Sequence, residues 1–317
     1  MSESRNSRRR VLLGWFFGIL LSAGLAILVE WVLGWRSVLA VWREVPPGEL
    51  LLGAGLAVLS YGLRAGRLAV VARGVGARAS PLSWFRITAL HLAAINLVPA
   101  RAGEAALPLL MRRHCSVPLA QGLGLLVALR LHDLVAMATL GLSAVVMLVY
   151  GGTAGLIALL GLGLTGWLGL VWAPRLLLPW ADRGQRWVAV LSWPLRLLPA
   201  NLVWVYGLTL TAWAAKWFSL AIVAGAVAGL DSMQALVAIA AAEVAALSPI
   251  QGVAGAGTFE AAVAGALVLT GLGAAEALHA AVTLHLFLLG ISLLLAVPAL
   301  LLPHRGRAAA VPPVSLR

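Results

Sequence analysis

The sequence predicts an all-α integral membrane protein with about six spanning helices, two re-entrant helical hairpins and an inverted-topology repeat. The chain is 62% hydrophobic and 11% charged, far from the composition of a soluble domain. Two polar stretches containing proline and glycine interrupt the apolar sequence, at residues 94–113 and 246–265. Basic residues are concentrated in the segments that would lie on one side of a membrane. These three observations together predict the fold class.

Six apolar runs are long enough to cross a membrane, which takes about 20 residues of helix. A basic tail (1–10) precedes the membrane domain (11–303), and a second tail (304–317) follows it. Residues 174–199 mix arginine with tryptophan, which suits an amphipathic segment in the membrane interface. The residues between the first two runs are expected to form a loop. The predicted spanning helices are 11–33, 48–72, 117–150, 153–173, 201–230 and 276–302.

The first polar stretch reads AINLVPARAGEAALPLLMRR and contains Pro99, Arg101, Gly103 and Glu104. Non-helical backbone at membrane depth survives only where protein or a wet cavity covers it. The apolar arms on either side are too short to span, so the stretch predicts a hairpin that enters and leaves by the same face. The second stretch, ALSPIQGVAGAGTFEAAVAG, has the same character, with a proline and glycines that precede a single glutamate, Glu260. The predicted arms are 82–97 and 104–111, then 232–248 and 258–270.

The distribution of basic residues predicts the orientation. Sixteen of the 23 lie in segments that would be cytoplasmic if the N-terminus is cytoplasmic, Arg36 and Arg43 lie outside, and five lie within the membrane. This bias is a strong positive-inside signal. We therefore expect both termini in the cytoplasm, with the first hairpin entering from the cytoplasmic face and the second from the outside.

Opposed hairpins suggest two halves of inverted topology, about residues 48–150 and 201–302. In each half a helix with one basic residue precedes a hairpin with an acid at its tip, and a helix with a second basic residue or histidine follows. The spacings are similar in the two halves. The matched residues are Arg64, Glu104 and Arg130 in the first half, and Lys216, Glu260 and His285 in the second.

Charged residues at membrane depth cost roughly 2.5–3.5 kcal/mol each on insertion scales, so they are expected to face inward and pair. Arg130 and Asp133 are three residues apart and share a helical face. Arg67 lies near a predicted helix end, so its side chain is expected to reach the interface, and it is left out of the site. The charged residues expected at membrane depth are Arg64, Arg101, Glu104, Arg130, Asp133, Lys216, Glu243 and Glu260.

We expect Glu104 and Glu260 to lie close together at mid-membrane and to line one cavity with Arg64 and Lys216. Broken helices that meet at the midplane form the substrate site of many transporters. Arginine and lysine suit an anionic head group such as a phosphate, and the acids could carry protons. The alternative is an ion-pair network that only holds the hairpins in place. The candidate substrate-binding residues are Arg64, Arg101, Glu104, Arg130, Asp133, Lys216, Glu260 and His285.

Three motifs resemble the lysylphosphatidylglycerol synthase transmembrane region family, also called flippase-like. They are P-A-R-A-G-E (99–104), R-L-H-D (130–133) and G-V-A-G-A-G-T-F-E (252–260). The resemblance covers about residues 10–303 and implies a lipid-translocating domain of the bacterial cytoplasmic membrane. Some relatives carry a soluble aminoacyl-transferase domain that this chain does not contain, so the resemblance implies the stand-alone form.

Two other classes of function remain open. An intramembrane lipid phosphatase or hydrolase would need a phosphate loop with serine and arginine, but the first tip offers Arg101 without serine and the second offers Thr258 without arginine. A non-transporting partner of a lipid- or glycan-synthesis enzyme is the other class. We expect an anionic or isoprenoid-linked lipid as substrate, no catalytic residues, no cofactor, no metal and no nucleic acid.

Overall fold

The structure is a computed structural model that describes residues 16, 19–181, 193–198, 201–248 and 252–301. Every regular element in these ranges is helical. Helices α1–α6 are Ile19–Val32, Trp35–Glu44, Pro47–Ala72, Pro81–Leu97, Ala106–Cys115 and Leu119–Tyr150. Helices α7–α12 are Gly152–Ala181, 193–197, Leu202–Ala228, Ser232–Leu247, Thr258–Leu269 and Ala274–Leu301.

The prediction of an all-α membrane protein with about six spanning helices is confirmed. Among the described residues, five helices are long and apolar enough to cross a membrane. Helices α1 and α2 pass the same test together but are bent by 75° at the break between them, so they make a sixth span if the bent pair is counted as one.

The predicted loop after the first helix is wrong, because residues 35–44 form helix α2. The Glu30 carboxylate accepts a hydrogen bond from the backbone N–H of Trp35 at 3.0 Å, which satisfies a donor that the start of a helix leaves free. Val29 and Val38 then pack together with Val282 of α12 in one small core. An apolar face on a short polar segment was the signal for this helix.

Helix α7 ends at Ala181 rather than at the predicted residue 173, and it passes through Pro174 and Pro179. Proline lacks a backbone donor, but it is tolerated in membrane helices where neighbouring groups satisfy the freed carbonyls. The rest of the predicted interfacial segment falls largely outside the described residues. Both predicted tails and most of residues 11–18 also lie outside them.

The four predicted hairpin arms are all helices of nearly the predicted length: α4 and α5 in the first stretch, α10 and α11 in the second. A 3₁₀ segment, Pro99–Ala105, joins α4 to α5, and another, Val253–Gly255, precedes α11. Each arm is shorter than a spanning helix requires. That the pairs enter and leave by one face remains a prediction.

The chain divides into two compact units. The first comprises residues 1–57, 92–104 and 217–297, and the second comprises residues 58–91, 105–216 and 298–317. In the first unit, Asn96 Nδ2 of α4 donates to Ser292 Oγ of α12 at 2.7 Å, and Ser219 Oγ of α9 donates to the Gly53 carbonyl of α3 at 2.7 Å. These hydrogen bonds join α4 to α12 and α9 to α3. The predicted repeat halves remain a prediction.

In the second unit, polar contacts join the middle of α9 to its neighbours. Ser60 Oγ of α3 donates to the Ala212 carbonyl at 2.7 Å, and Thr139 Oγ1 of α6 lies 3.0 Å from the Tyr206 hydroxyl. A Cβ on Gly166 of α7 would lie 2.7 Å from that same hydroxyl, so α7 approaches α9 closely. These contacts fix α3, α6 and α9 around the charged residues described next.

Candidate functional site

Asp133 of α6 is the centre of a buried polar cluster in the second unit. Both Nη atoms of Arg67, on α3, are directed at its carboxylate, with Nη2 at 3.5 Å from Oδ2. The Trp213 indole N–H of α9 donates to Oδ1 at 2.8 Å. Arg130 Nη1 lies 3.4 Å from Oδ2. Three helices therefore converge on one carboxylate, and the predicted Arg130–Asp133 pair is confirmed.

Trp213 also brings two further cations together. The Arg64 guanidinium carbon lies 4.3 Å from the centre of the Trp213 ring, and Lys216 Nζ lies 4.9 Å from it. Cations over an indole face are attracted by its quadrupole, and the attraction is stronger where water is excluded. We call this set of residues the arginine–aspartate cluster: Arg64, Arg67, Arg130, Asp133, Trp213 and Lys216.

Helical spacing explains how the cluster forms. Arg64 and Arg67 are three residues apart on α3, and Arg130 and Asp133 are three apart on α6. On α9, Thr209, Trp213 and Lys216 follow one another at intervals of four and three, so they share a face. The Thr209 hydroxyl accepts a hydrogen bond from Arg67 at 3.2 Å, which satisfies a further guanidinium donor.

The expectation that Arg67 reaches the membrane interface is wrong. Its side chain is 7% exposed, and it is the more deeply buried partner of Asp133, since the Arg130 side chain is 35% exposed. Helix α3 continues five residues beyond Arg67, to Ala72. This distance, about 7–8 Å at 1.5 Å per residue, keeps the guanidinium inside the protein.

Three nitrogen atoms in this part of the second unit are buried with no hydrogen-bond partner among the described residues: Arg67 Nε, His91 Nδ1 and His132 Nε2. His91 lies within electrostatic reach of Arg64, Arg67, Arg130 and Asp133. Buried polar atoms are almost always hydrogen-bonded, to protein or to ordered water. These nitrogen atoms are therefore polar positions that an additional hydrogen-bond partner would satisfy.

Glu260 and His285 form a second site, in the first unit. Glu260 Oε1 lies 2.5 Å from His285 Nδ1, and both side chains are buried. The other carboxylate oxygen accepts the Gly257 backbone N–H at 2.8 Å, so Glu260 also caps α11. The Phe259 ring stacks on the imidazole with centroids 4.3 Å apart. We call Glu260 and His285 the glutamate–histidine pair.

Glycine shapes the backbone beside both predicted hairpin tips. Gly257 has a φ of 84°, a left-handed conformation that other residues rarely adopt, and this conformation aims its N–H at Glu260. Gly103, in the P-A-R-A-G-E motif, packs against α4 so closely that a Cβ would lie 2.0 Å from the Ala94 carbonyl oxygen. The motif needs glycine there for a close backbone approach.

The structure thus brings some of the predicted site residues together, whereas for others the predicted proximity stays a prediction. Arg64, Arg130, Asp133 and Lys216 share the arginine–aspartate cluster, and Glu260 pairs with His285. Glu104 is half-buried in the 3₁₀ segment, and the Arg101 side chain lies outside the described atoms. The proximity of Glu104 to Glu260 remains a prediction. Among the described residues, no group of three or more His, Cys, Asp or Glu could hold a metal ion.

The sequence analysis did not place three residues of this region in the site: Arg67, Thr209 and Trp213. Helical spacing could have indicated two of them. The three-residue interval from Arg64 places Arg67 on the same face of α3, and the interval from Lys216 places Trp213 on the face of a buried cation. A tryptophan in an apolar helix is usually a packing residue, so the sequence does not predict a hydrogen-bond partner for its indole N–H.

These short motifs lie within a longer match to a known family. The model of the lysylphosphatidylglycerol synthase TM region matches residues 15–296, which is most of the 317-residue chain. The chain belongs to this family. The matched residues include both hairpin stretches. They also include every residue of the arginine–aspartate cluster and of the glutamate–histidine pair. No curated protein sequence and no solved structure is similar enough to the chain to count as a match.

Proposed function

We propose that this protein moves an anionic or isoprenoid-type lipid across the membrane that contains it, without changing the lipid chemically. Family membership supports a membrane protein of lipid metabolism. The proposal goes further, and the observation that carries it is the arginine–aspartate cluster, which concentrates cations from three helices in the interior of an apolar protein.

The chemistry of the cluster fits an anionic head group. Arginine presents a planar set of donors that matches phosphate or carboxylate oxygens, and lysine supplies a point charge. The buried nitrogen atoms of His91 and His132 provide further polar positions nearby. A lipid head group would satisfy these positions while its acyl or isoprenoid chains stayed in the bilayer.

The glutamate–histidine pair would then serve as the ionisable element of transport. A buried carboxylate that contacts an imidazole can exchange a proton with it, and such pairs line proton pathways in membrane transporters. The same proposal includes three features of topology and location. Each hairpin enters and leaves by one face, both termini lie in the cytoplasm, and the protein resides in the bacterial cytoplasmic membrane.

The test is lipid movement by the purified protein alone. Proteoliposomes of phosphatidylcholine with a trace of fluorescent phosphatidylglycerol are treated with an impermeant quencher, and the protected fraction is followed with time. We expect faster exchange between leaflets than in protein-free vesicles, with the lipid unaltered on chromatography. A new lipid product would favour an enzyme, and no movement of this probe or of a fluorescent isoprenoid phosphate would favour a non-transporting partner.

A further inference from the structure

A cleft of about 500 Å³ lies in the second unit, between the C-terminal part of α7 and the start of α9. It is far along the sequence from the predicted hairpins, and neither the arginine–aspartate cluster nor the glutamate–histidine pair contributes to it. Four aromatic or polar side chains give it its character. They are Trp167, Arg175, Asn201 and Trp204.

The cleft belongs to a helix that faces lipid. Only 11% of the most apolar part of α7 is buried inside the protein. Arg175 is 23 residues beyond Gly152, which at 1.5 Å per residue is about 35 Å, slightly more than the hydrocarbon core of a bilayer. If the Gly151–Gly152 turn lies at one interface, Arg175 therefore lies at the level of the opposite head groups.

Exposed tryptophan side chains near Arg175 also indicate the level of the membrane interface. The Trp204 side chain is 71% exposed, and Trp172 is exposed beneath the Arg175 guanidinium, which lies 4.8 Å from its ring centre. Amphipathic aromatic rings are enriched at the membrane–water interface. The cation–π contact holds the Arg175 charge beside the cleft without neutralising it.

A hydrogen-bond donor without an acceptor belongs to one of the residues that line the cleft. The Trp167 indole N–H is buried and has no acceptor among the described residues, although the ring lines the cleft. Nor does Arg175 form an ion pair within the part of the chain that the structure describes. An exposed cation and an indole ring that line the same apolar-walled space fit an anionic group that has hydrocarbon attached to it.

We propose that this cleft binds one anionic phospholipid, with its phosphate at Arg175, its glycerol region near Trp167 and its chains against the exposed apolar surface of α7. The bound lipid belongs to the leaflet that the charge distribution predicts to be cytoplasmic. This binding is independent of transport, because it uses none of the residues assigned to the transported lipid.

The test is native mass spectrometry of the full-length protein, delipidated in detergent and titrated with phosphatidylglycerol or with phosphatidylcholine of the same chains. The parent should retain one phosphatidylglycerol more tightly than any phosphatidylcholine. Arg175→Gln should weaken that binding about tenfold, since a charge-assisted hydrogen bond is lost. Arg43→Gln, which removes an exposed arginine of the first unit that does not line the cleft, should leave it unchanged.

Trp167→Phe keeps the ring but removes the indole N–H, so it should weaken the same binding even if Arg175→Gln folds poorly. Equal retention of the two lipids by the parent would overturn the proposal. So would unchanged phosphatidylglycerol binding in both variants, and so would full displacement of the lipid by soluble glycerol phosphate, which would indicate an anion site that does not need the lipid chains.

Discussion

Asp133 is the residue on which the arginine–aspartate cluster depends most directly. It faces two guanidinium groups and an indole N–H, and it is buried on α6. Removing the carboxylate leaves the Arg67 charge inside the protein without this partner. Breaking a buried pair in this way typically costs about 3–5 kcal/mol.

Asp133→Ala should therefore reduce the yield of folded protein, measured as the monodisperse fraction on size-exclusion chromatography in mild detergent. Adding Arg67→Ala should restore more of that yield than adding Arg130→Ala, because Arg67 is the more deeply buried partner. Equal rescue by the two arginine variants, or better rescue by Arg130→Ala, would show that Arg67 is not the principal partner.

The second prediction at this scale concerns the reactivity of the Cys115 thiol. Its side chain is 2% exposed, and burial raises the pKa of its thiol to about 11. The thiolate is the reactive form, so at pH 7 to 8 almost none of the native protein is in that form, and reactivity should grow as pH rises toward 11. Unfolding should return the pKa to its ordinary range and restore reactivity.

N-ethylmaleimide labelling, followed by intact mass, should thus be slow in native detergent at pH 7.5 and much faster in sodium dodecyl sulfate. Because the chain has one cysteine, the mass shift reports this site alone. Equal rates in the two detergents would mean that the thiol is accessible. A buried thiol also makes the native cysteine a poor reporter of membrane orientation.

At the scale of elements, the first hairpin stretch depends on the close approach of the 3₁₀ segment to α4. A Cβ at position 103 would lie 2.0 Å from the Ala94 carbonyl oxygen, so Gly103→Ala forces the backbone to move. Overpacking of this kind costs about 1–3 kcal/mol. We expect a lower thermal midpoint for this variant.

Gly62→Ala is the matched control, because the added methyl on this exposed position of α3 meets nothing within 4 Å. It should leave the midpoint unchanged or raise it slightly, since alanine favours helix by about 1 kcal/mol over glycine. If both variants melt alike in a fluorescence-monitored thermal unfolding assay, the contact between residues 103 and 94 is not tight in the protein.

The sequence predicts helices well where apolar length decides them, as in the arms of both hairpin stretches. The prediction failed at α2. This short amphipathic segment resembles a loop in the sequence, but in the structure Val38 packs in a core with Val282 of α12, which is distant along the chain. The prediction failed again at the end of α7, because proline normally indicates a helix boundary, whereas here the helix continues. Both errors arise from tertiary or membrane context that local sequence does not contain.

The same limit applies to the site. Opposite charges three residues apart on one helix, such as Arg130 and Asp133, can be paired from sequence alone. The Arg67–Asp133 contact joins positions 66 residues apart, and the Trp213–Asp133 bond joins positions 80 apart. Neither pairing follows from spacing, although helical periodicity narrows the candidates.

At the scale of the whole molecule, the orientation is a prediction that rests on the distribution of arginine along the sequence. In a Cys115→Ser background, Glu44→Cys at the end of α2 and Arg78→Cys in the loop before α4 place thiols at exposed positions on opposite predicted sides. An impermeant maleimide should label Glu44→Cys in intact cells and Arg78→Cys only in inside-out vesicles. The reverse pattern would invert the topology.

We propose that the buried charges serve transport rather than only holding the helices together. Lys216→Gln and Glu260→Gln each remove one charge and keep a polar side chain, one in each unit. Glu49→Gln is the control, since this acid is exposed in the first turn of α3. All three variants should be compared at equal amounts of folded protein.

Leaflet exchange of fluorescent phosphatidylglycerol in proteoliposomes distinguishes a transport role of these charges from a purely structural one. Lys216→Gln and Glu260→Gln should each slow exchange by at least about tenfold, the factor that 1.4 kcal/mol represents, while Glu49→Gln exchanges lipid as fast as the parent. Exchange at the parent rate in both site variants would contradict the claim, because the charges would then be structural.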